Sequence, residues 1–290
     1  MNPRTLDIDA LKDWPLPPLD DTADKEARGR VLIVAGSREL PGAAMLAATA
    51  ALRTGAGKLV VGTAASVARP MAFALPEARV IGLPETDHGG LAPEGIGLLD
   101  ETLQGCRAVL VGPGLMDSEA TQHFVAALLG RAAQVPVVLD ALGMDTVLAG
   151  RRFGDEVLLT PHAGEMAHLT GLSKEDILAD PLAAAAQAAR QWNATVALKG
   201  PTTIIATAAG EAWCHQGGNS GLATSGSGDT LAGAIAGLAA RGASLPQACA
   251  WGVVLHAQAG DRLSRTLGPV GFLARELPDQ MLAAMQCVGG

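Results

Sequence analysis

The chain has 290 residues, of which 49% are hydrophobic and 17% charged, so it carries enough apolar material for one large globular domain or two small ones. A formal net charge of -8 with no cluster of Lys and Arg excludes an extended nucleic-acid interface, because phosphate backbones are neutralised by clustered basic side chains. No apolar run approaches the roughly 20 residues of a membrane helix and the Asp- and Pro-rich N-terminus is unlike a signal peptide, so we expect a cytoplasmic protein without a membrane partner.

Short runs rich in β-branched residues and Leu alternate along the chain with longer Ala-rich segments. The alternation predicts strands over 30–36, 58–63, 78–83, 108–114, 135–141, 156–161 and 195–200, followed by a hairpin of 202–208 with 211–216 that turns at Ala209-Gly210. It predicts helices over 42–54, 118–133, 181–192, 230–241 and 246–262. Most of these strands are apolar on both faces, as in a parallel sheet covered by helices on both sides. We therefore predict one doubly wound α/β domain.

Polar and glycine-rich residues follow several of the predicted strands. Ligands in open α/β folds bind beyond the carboxyl ends of the strands, so these residues are candidates for one shared site. They are Gly36-Ser37, Gly112-Pro113-Gly114, Asp140, Pro161-His162 and Lys199-Gly200.

Most of these candidates have a structural alternative. The Gly112-Pro113-Gly114 segment is either a tight turn or a close approach of the backbone to a ligand. His162 and Glu165 share a helix face if a helix begins near Ala163, but they also suit a helix N-terminal cap. HAGEM lacks the second histidine of HExxH, so zinc is not expected. Lys199 is one of five lysines, and a plain surface lysine is the alternative for it.

The segment SGSGDTLAGAIAG, residues 225–237, is the strongest signal in the chain. Its Ser and Gly residues offer consecutive backbone N–H groups, and the small-residue helix predicted after them adds its positive N-terminal end, which together predict an anion cradle. Asp229 is then either a helix-capping carboxylate or an acid held beside a phosphate, where it would take a proton from an attacking hydroxyl. The segment lacks the GxxxxGK[ST] pattern of a P-loop, so it predicts another kind of phosphate site.

The four cysteines, Cys106, Cys214, Cys249 and Cys287, lie far apart and form no CxxC pair. This spacing indicates neither a zinc site nor a disulfide framework. We expect reduced and mostly buried thiols.

Several blocks in one order resemble the ADP/ATP-dependent NAD(P)H-hydrate dehydratases, which are ribokinase-like proteins related to the C-terminal domain of bifunctional NAD(P)H-hydrate repair enzymes. The resemblance covers roughly residues 28–280 and includes GNSGLATSGSGDTLAGAIAGLAARG, VLIVAGSRELPGAAMLAATAALRTGAGKLVVGT, AVLVGPGL, VVLDA, LLTPHAGEMAHLTG and VALKGPTTIIA. It implies a three-layer sandwich in which helices cover both faces of a mostly parallel central sheet. The domain would then be the whole of 1–290, with 1–27 as an N-terminal extension.

The resemblance also implies roles for individual residues. Asp229 would be the catalytic base and a contact of the hydrate, and Glu165 would order Mg²⁺ through water. The other implied roles are an anion hole of Gly226, Ser227 and Gly228; a nucleotide site of Lys199, Gly200, Pro201, Thr202, Thr203 and Gly228; and substrate contacts at Ala43, Gly114 and His162.

The chain departs from the family pattern in three places. It has TSGSGD where GGTGD is common, HAGE where HPGE is usual, and LDALGM where LDADAL is frequent. Ser225 and Ser227 keep the small polar character of the anion hole, whereas Leu142 leaves no second acid at its position.

The implied reaction removes water from a hydrated nicotinamide ring by phosphorylating its hydroxyl and eliminating phosphate. The implied partners are the NAD(P)H hydrate, ADP or ATP as co-substrate with Mg²⁺, a separate NAD(P)H-hydrate epimerase, and further copies of the chain in a homotetramer. Two other functions remain open from the residues: a small-molecule kinase of the same fold, acting on a vitamin precursor or sugar, and a nucleotide-binding regulator without turnover.

Overall fold

A single mixed sheet runs through the part of the chain described by the computed structural model, which covers residues 2–18, 25–26 and 28–289. Within it the strand order is β1-β10-β9-β8-β7-β6-β5-β2-β3-β4. The strands are β1 (Arg4–Thr5), β2 (Arg30–Val34), β3 (Lys58–Ala64), β4 (Ala78–Leu83), β5 (Ala108–Val111), β6 (Val137–Leu139), β7 (Val157–Leu159), β8 (Thr195–Leu198), β9 (Thr202–Ala206) and β10 (Ala212–Gln216).

Helices cover both faces of this sheet. They are α1 (Ile8–Lys12), α2 (Pro41–Arg53), α3 (Ala65–Ala74), α4 (Asp100–Gln104), α5 (Ser118–Arg131), α6 (Ala163–Thr170), α7 (Lys174–Ala179), α8 (Pro181–Trp192), α9 (Ser227–Ala240), α10 (Leu245–Leu267) and α11 (Leu277–Gly289). Short 3-10 helices lie at Pro93–Leu99, Ala141–Ala149, Ser220–Leu222 and Ala274–Glu276.

Alternate residues of the central strands enter two separate cores. In β2, Val31 and Ile33 pack into a cluster with buried residues of α2, α9, α10 and α11. Leu32 and Val34 face the opposite side and pack with buried residues of α5 and α8. Because strand side chains alternate between faces, a strand buried on both sides must be apolar throughout, as β2 is. The predicted three-layer arrangement is confirmed.

Seven neighbouring strands of the sheet pair in parallel, in the order β8, β7, β6, β5, β2, β3 and β4. Among the described strands, β9 is antiparallel to both of its neighbours, β8 and β10. The predicted hairpin is confirmed as β9 and β10, with the Thr207 carbonyl accepting from the Gly210 N–H across the turn. Parallel pairing brings the carboxyl ends of β6, β7 and β8 to one edge, where Asp140, His162 and Lys199 follow them.

Helix α9 lies unusually close to α2 because its contact face is built of glycine. A β-carbon added at Gly233 would lie 2.1 Å from the Ala47 carbonyl oxygen, and one at Gly237 would lie 2.4 Å from the Ala51 carbonyl oxygen. These glycines cost helix propensity, and the close helix contact is the reason for them. The contact holds the first turn of α9 against the sheet edge that carries the polar residues.

The N-terminal segment is attached to the sheet. β1 pairs in parallel with β10, and the Trp14 ring stacks on Trp213 with centroids 5.3 Å apart. The Trp14 carbonyl accepts a hydrogen bond from Trp251 Nε1 at 2.9 Å. Sequence alone treats 1–27 as an extension; its described part packs on the body of the protein, and residues 19–24 and 27 lie outside the described residues.

Three expectations need correction in detail. Most predicted strands run past their observed ends, because the residues after them turn into the site; for example, β6 is Val137–Leu139 rather than 135–141. Helix α9 begins at Ser227 instead of Thr230. Of the four free thiols only Cys249 is buried, since Cys106 and Cys214 are half-buried and Cys287 is exposed on α11. Across the described ranges, none of the helices is both long and apolar enough for a membrane span.

Candidate active site

The first turn of α9 presents unpaired backbone amides. Gly226 precedes the helix with a left-handed φ of 86°, and no side chain caps the helix start. The Thr230 amide donates to the Gly226 carbonyl, but the amides of Gly228 and Asp229 have no acceptor among the described residues. Free N–H groups at the positive end of a helix are suited to an anion, and the proposed site is built on this feature.

Ser227 is engaged elsewhere. Its amide donates to the Thr224 carbonyl at 3.2 Å, and its hydroxyl lies 3.0 Å from Nε2 of the buried His256. Of the residues predicted to form the anion hole, Ser227 uses its amide within the protein, whereas the amides of Gly226 and Gly228 have no acceptor among the described residues, and neither does that of Asp229. Burial lowers the pKa of His256 to about 4, so its ring is neutral near pH 7 and cannot hold an anion by charge.

Lys199 places a cation beside these amides. Its Nζ lies 3.5 Å from the position of a β-carbon built on Gly228. The ammonium pairs with Asp140 at 3.1 Å and with Glu165 at 3.9 Å, and its side chain is 19% exposed, so it is not a plain surface lysine. Burial by itself would lower the pKa of Lys199, but the carboxylates around it, Asp140 first, raise that pKa above its ordinary value. Lys199 is therefore a cation at neutral pH.

Asp229 occupies the third position of α9 and is half-buried. It caps nothing, because the helix start has no side-chain cap. Burial is the largest cause that raises its pKa to about 6, repulsion from Asp140 adds to the rise, and Lys199 opposes it. A carboxylate with a pKa near 6 is ionised at neutral pH and more basic than an exposed aspartate, as a general base requires.

His162 and Glu165 form an N-terminal cap on α6, which is one of the two roles that the sequence allows for them. Nδ1 of His162 accepts from the amides of Gly164 and Glu165 at 3.0 and 3.1 Å, and Glu165 Oε2 accepts from the His162 amide at 2.7 Å. The other ring nitrogen, Nε2, lies 3.6 Å from Glu165 Oε2. The cap thus fixes the His162 side chain at the start of α6.

A cavity of about 760 Å³ opens beside the first turn of α9. This volume suits a nucleotide-sized ligand. Of the predicted nucleotide residues, all but Thr202 line it, and His162 does too. The lining residues are His162, Lys199, Gly200, Pro201, Thr203, His215, Gly217, Gly218, Asn219, Ser220, Leu222, Ala223, Thr224, Ser227, Gly228, Leu231, Val253, His256 and Ala257.

The predicted substrate contacts Ala43 and Gly114 lie together outside this cavity. A β-carbon at Gly114, where φ is +64°, would lie 2.6 Å from the Ala43 β-carbon. A second cavity, of about 380 Å³, lies on the other side of His162 and Glu165.

Sequence reasoning gave no role to three residues of the site. Asp140 is among the candidates at the strand ends, but its pairing with Lys199 is not predicted, and His215 and His256, which line the cavity, are not among the candidates. A buried polar residue directly after an apolar strand was the available signal for Asp140. Both histidines come close to the site only through tertiary packing, and nothing local in the sequence marks them.

The site fits a magnesium ion bound together with phosphate. Three carboxylates, Asp140, Glu165 and Asp229, surround one ammonium, so an incoming polyphosphate needs a compensating cation. No group of three or more metal-binding side chains occurs in the part of the chain that the structure describes. Mg²⁺ suits such a site, because it usually keeps several waters and binds through one or two carboxylates plus substrate phosphates.

Comparison with known proteins assigns the chain to a family. A family model described as NAD(P)H-hydrate dehydratase matches residues 31–282. An ADP-dependent (S)-NAD(P)H-hydrate dehydratase of Xanthomonas campestris pv. campestris is 48% identical over 278 residues, which cover 96% of this chain and 94% of that protein. The chain belongs to the NAD(P)H-hydrate dehydratase family.

Solved structures agree with this membership. The ADP/ATP-dependent NAD(P)H-hydrate dehydratase from Bacillus subtilis, co-crystallised with ATP and Mg²⁺, aligns with a TM-score of 0.85 at 31% identity over 99% of both chains. A ribokinase-like superfamily protein from Enterococcus faecalis aligns with a TM-score of 0.85 at 29% identity, over 98% of this chain and 96% of that one. The predicted ribokinase-like fold is confirmed, and the family names favour a dehydratase over the kinase alternative.

Some members of the family are longer. A bifunctional NAD(P)H-hydrate repair enzyme of Moorella thermoacetica is 41% identical over 268 residues, which cover 91% of this chain and 50% of that protein. The chain thus spans about half the length of the bifunctional NAD(P)H-hydrate repair enzyme it matches.

Proposed function

We propose that the site built by Asp229, Lys199 and the first turn of α9 dehydrates (S)-NAD(P)H hydrate with ADP as phosphoryl donor. The observation that carries the proposal is a basic carboxylate on the same helix turn as two free amides, with an ammonium beside them. A nucleotide-binding regulator needs no base of this kind. The family names supply the substrate, and the arrangement of Asp229 supplies the chemistry.

The bound nucleotide would lie in the larger cavity. Lys199, Gly200, Pro201 and Thr203 line it next to Gly228, so these residues hold the phosphates and the sugar end of the nucleotide. The terminal phosphoryl group would meet the amides of Gly228 and Asp229, with Lys199 at its side. These donors are fixed before the reaction, so they stabilise charge that grows on the phosphoryl oxygens at no cost of reorganisation.

The hydrated ring would approach from the side of Asp229. His162 Nε2, with Ala43 and Gly114, orients the dinucleotide, and Asp229 removes the proton of the ring hydroxyl as its oxygen attacks the phosphoryl group. AMP leaves. The ring nitrogen then donates its electron pair as the carbon–oxygen bond breaks, phosphate departs, and loss of a proton from the adjacent carbon restores the dihydronicotinamide. Phosphorylation is needed because hydroxide is a poor leaving group and phosphate a good one.

Mg²⁺ completes the proposed site. Glu165, which lies 3.9 Å from the Lys199 ammonium, would hold it through water. The ion supplies charge neutralisation for the phosphates. The Bacillus subtilis relative was co-crystallised with ATP and Mg²⁺.

The decisive experiment follows the dihydronicotinamide absorbance when purified protein is mixed with hydrated NADH, Mg²⁺ and either ADP or ATP, after contaminating kinases are removed. We expect recovery of NADH with AMP and phosphate released in equal amounts, a faster rate with ADP than with ATP, and loss of the rate on chelation of Mg²⁺. A phosphorylated hydrate that accumulates without recovery of NADH would instead identify a kinase. A clear preference for ATP would contradict the choice of donor.

The pH dependence of this reaction tests the base. Because the pKa of Asp229 is raised to about 6 and the base must be ionised, kcat/KM for the hydrate should rise with pH and level off above about pH 7. At pH 5 it should be about one-tenth of the plateau, since one pH unit below the pKa only about a tenth of the base is ionised. Initial rates between pH 5 and 8 measure this. If kcat/KM falls only near pH 4, or does not fall at acid pH, Asp229 is excluded as the titrating base.

We also propose the surroundings in which the enzyme works. Residues 1–290 act as one domain in the cytoplasm, in a homotetramer, alongside an NAD(P)H-hydrate epimerase. The bifunctional repair enzymes among its relatives support the link to a second repair activity. Size-exclusion chromatography with light scattering measures the subunit number directly.

A further inference from the structure

Asp140 is the most deeply buried acid of the site, and the function proposed above gives it no part in the reaction. Its side chain is 3% exposed, and Oδ1 accepts hydrogen bonds from Lys199 Nζ at 3.1 Å and from Thr160 Oγ1 at 2.6 Å. A buried carboxylate is stable only when such partners satisfy it. The arrangement therefore fixes the carboxylate and the ammonium relative to each other.

The backbone around Asp140 is fixed as well. Its amide donates to the Val111 carbonyl at 3.1 Å, and its carbonyl accepts from the Gly143 amide at 3.0 Å. Gly112, with φ at +131°, lies so close that a β-carbon there would be 1.7 Å from the Asp140 carbonyl oxygen. The backbone of the Gly112-Pro113-Gly114 turn thus packs closely against the backbone of Asp140. This contact holds the acid in place.

The position of Lys199 depends on this acid. Its ammonium has Asp140 and Glu165 within ion-pair distance, and no ion pair joins it to Asp229 in the described residues, although the two groups are close enough for each to shift the pKa of the other. If Asp140 lost its charge, Glu165 and Asp229 would be the remaining partners of the ammonium. Pairing with Asp229 would occupy the base and remove the cation from the phosphoryl position.

We propose that Asp140 is a positioning residue for phosphoryl transfer: it holds the Lys199 ammonium beside Gly228 and away from Asp229. This inference rests on the proposed function for its kinetic consequence, but the placement of the cation can be measured without turnover. Asp140 touches neither the nucleotide nor the hydrate in this account, and it acts through Lys199.

The positioning role predicts a particular split between binding and rate. Asp140→Asn should lower kcat at saturating ADP at least about tenfold, because the cation no longer meets the transferring phosphoryl group. The dissociation constant for ADP should change by less than about threefold, because the lost anchor is offset by the smaller negative charge of the site. Thr160→Val, which removes only the hydroxyl that fixes Asp140, should lower kcat by a smaller factor in the same way.

A mimic of the transferring phosphoryl group provides the measurement without turnover. Calorimetry with AMP, Mg²⁺ and aluminium fluoride should show that Asp140→Asn binds this complex at least about tenfold more weakly than the parent does. Calorimetry with ADP alone should show no such loss of affinity. Asp145→Asn is the matched control, because Asp145 is equally buried nearby but pairs with Ser118 and His168. It should leave both affinities unchanged.

A double variant distinguishes positioning from general damage. If Asp140 acts through Lys199, adding Asp140→Asn to Lys199→Met should lower kcat by less than about threefold beyond Lys199→Met alone. Full multiplication of the two losses, or parent-like kcat and fluoride-complex binding in Asp140→Asn, would overturn the proposal. If the unmutated protein binds the fluoride complex but does not turn over hydrated NADH, the proposed function is refuted. The role of Asp140 is then decided by whether Asp140→Asn weakens binding of the fluoride complex. A parent that shows neither would refute both.

Discussion

Asp229→Asn is expected to lose at least about a hundredfold in dehydration turnover, the low end of the range for loss of a general base. The variant should bind ADP within about tenfold of the parent, because the Gly228 amide, Lys199 and the cavity lining remain in place. The loss corresponds to roughly 3 kcal/mol of transition-state stabilisation. Calorimetry with ADP and the absorbance assay on one preparation measure both quantities.

Folding should not be the cause of this loss. Asp229 caps no amide, so asparagine removes no helix-capping hydrogen bond. Because burial raises the pKa of Asp229 above its value in an unfolded chain, the ionised carboxylate is a cost to the folded state at neutral pH, and that cost disappears in asparagine. We expect a Tm equal to or slightly above that of the parent.

Asp176→Asn is the matched control for this variant. Asp176 also occupies the third position of a helix, α7, but it is exposed, lines neither cavity and accepts a hydrogen bond from Ser173 Oγ. It should behave as the parent in turnover and ADP binding. Near-normal turnover in Asp229→Asn would remove the central residue of the mechanism, and a Tm fall in parallel with the activity would make Asp229 a structural residue.

Gly233→Ala is expected to destabilise the protein by about 3 kcal/mol or more, the upper part of the range for overpacked cores. The new β-carbon would lie 2.1 Å from the Ala47 carbonyl oxygen and 2.5 Å from the Ala47 Cα, both of them backbone atoms that cannot rotate aside. Helices α2 and α9 would have to separate. Thermal unfolding should show a Tm lower by roughly 6 to 12 °C for a chain of this size.

Gly130→Ala makes the same chemical change as Gly233→Ala at a position where we expect the opposite effect on stability. Gly130 lies within α5, is exposed, and has open space where the β-carbon would be added. Alanine there should stabilise the protein by about 0.5 to 1 kcal/mol through helix propensity and a less flexible unfolded chain. If both variants unfold at the temperature of the parent, α2 and α9 do not pack as closely in solution as the structure places them.

The fold was predictable because its signals are local. β2, β3 and β4 are recognisable from their own β-branched residues, and α5, α8 and α9 from their Ala-rich sequences. Elements that depend on distant partners were missed. β1 has two residues and exists only because β10 accepts it, and α3 contains Pro70, which disfavours a helix in the sequence.

The part of the candidate site that the sequence predicts is the part carried by a local pattern of glycines and an acid. SGSGD alone predicts Asp229 and the Gly-rich turn as site residues. The start of α9 was misplaced by three residues because Ser227, Gly228 and Asp229 are poor helix formers in isolation, whereas packing of α9 on α2 and the Ser227–His256 contact hold them helical. The link between Asp140 and Lys199 joins residues 59 apart in sequence, which no local pattern reports.

The edge strand β1 has a consequence for solubility. β10 would otherwise offer an unpaired strand edge to other chains, and such edges are templates for aggregation. β1 covers that edge with only two residues, preceded by Pro3 and carrying the charged Arg4, so little is left for a further strand to extend. Shortness, proline and charge are the features by which natural sheets prevent strand addition. The first residues of the chain therefore protect the β10 edge of the sheet against strand addition, and β4 forms the opposite edge.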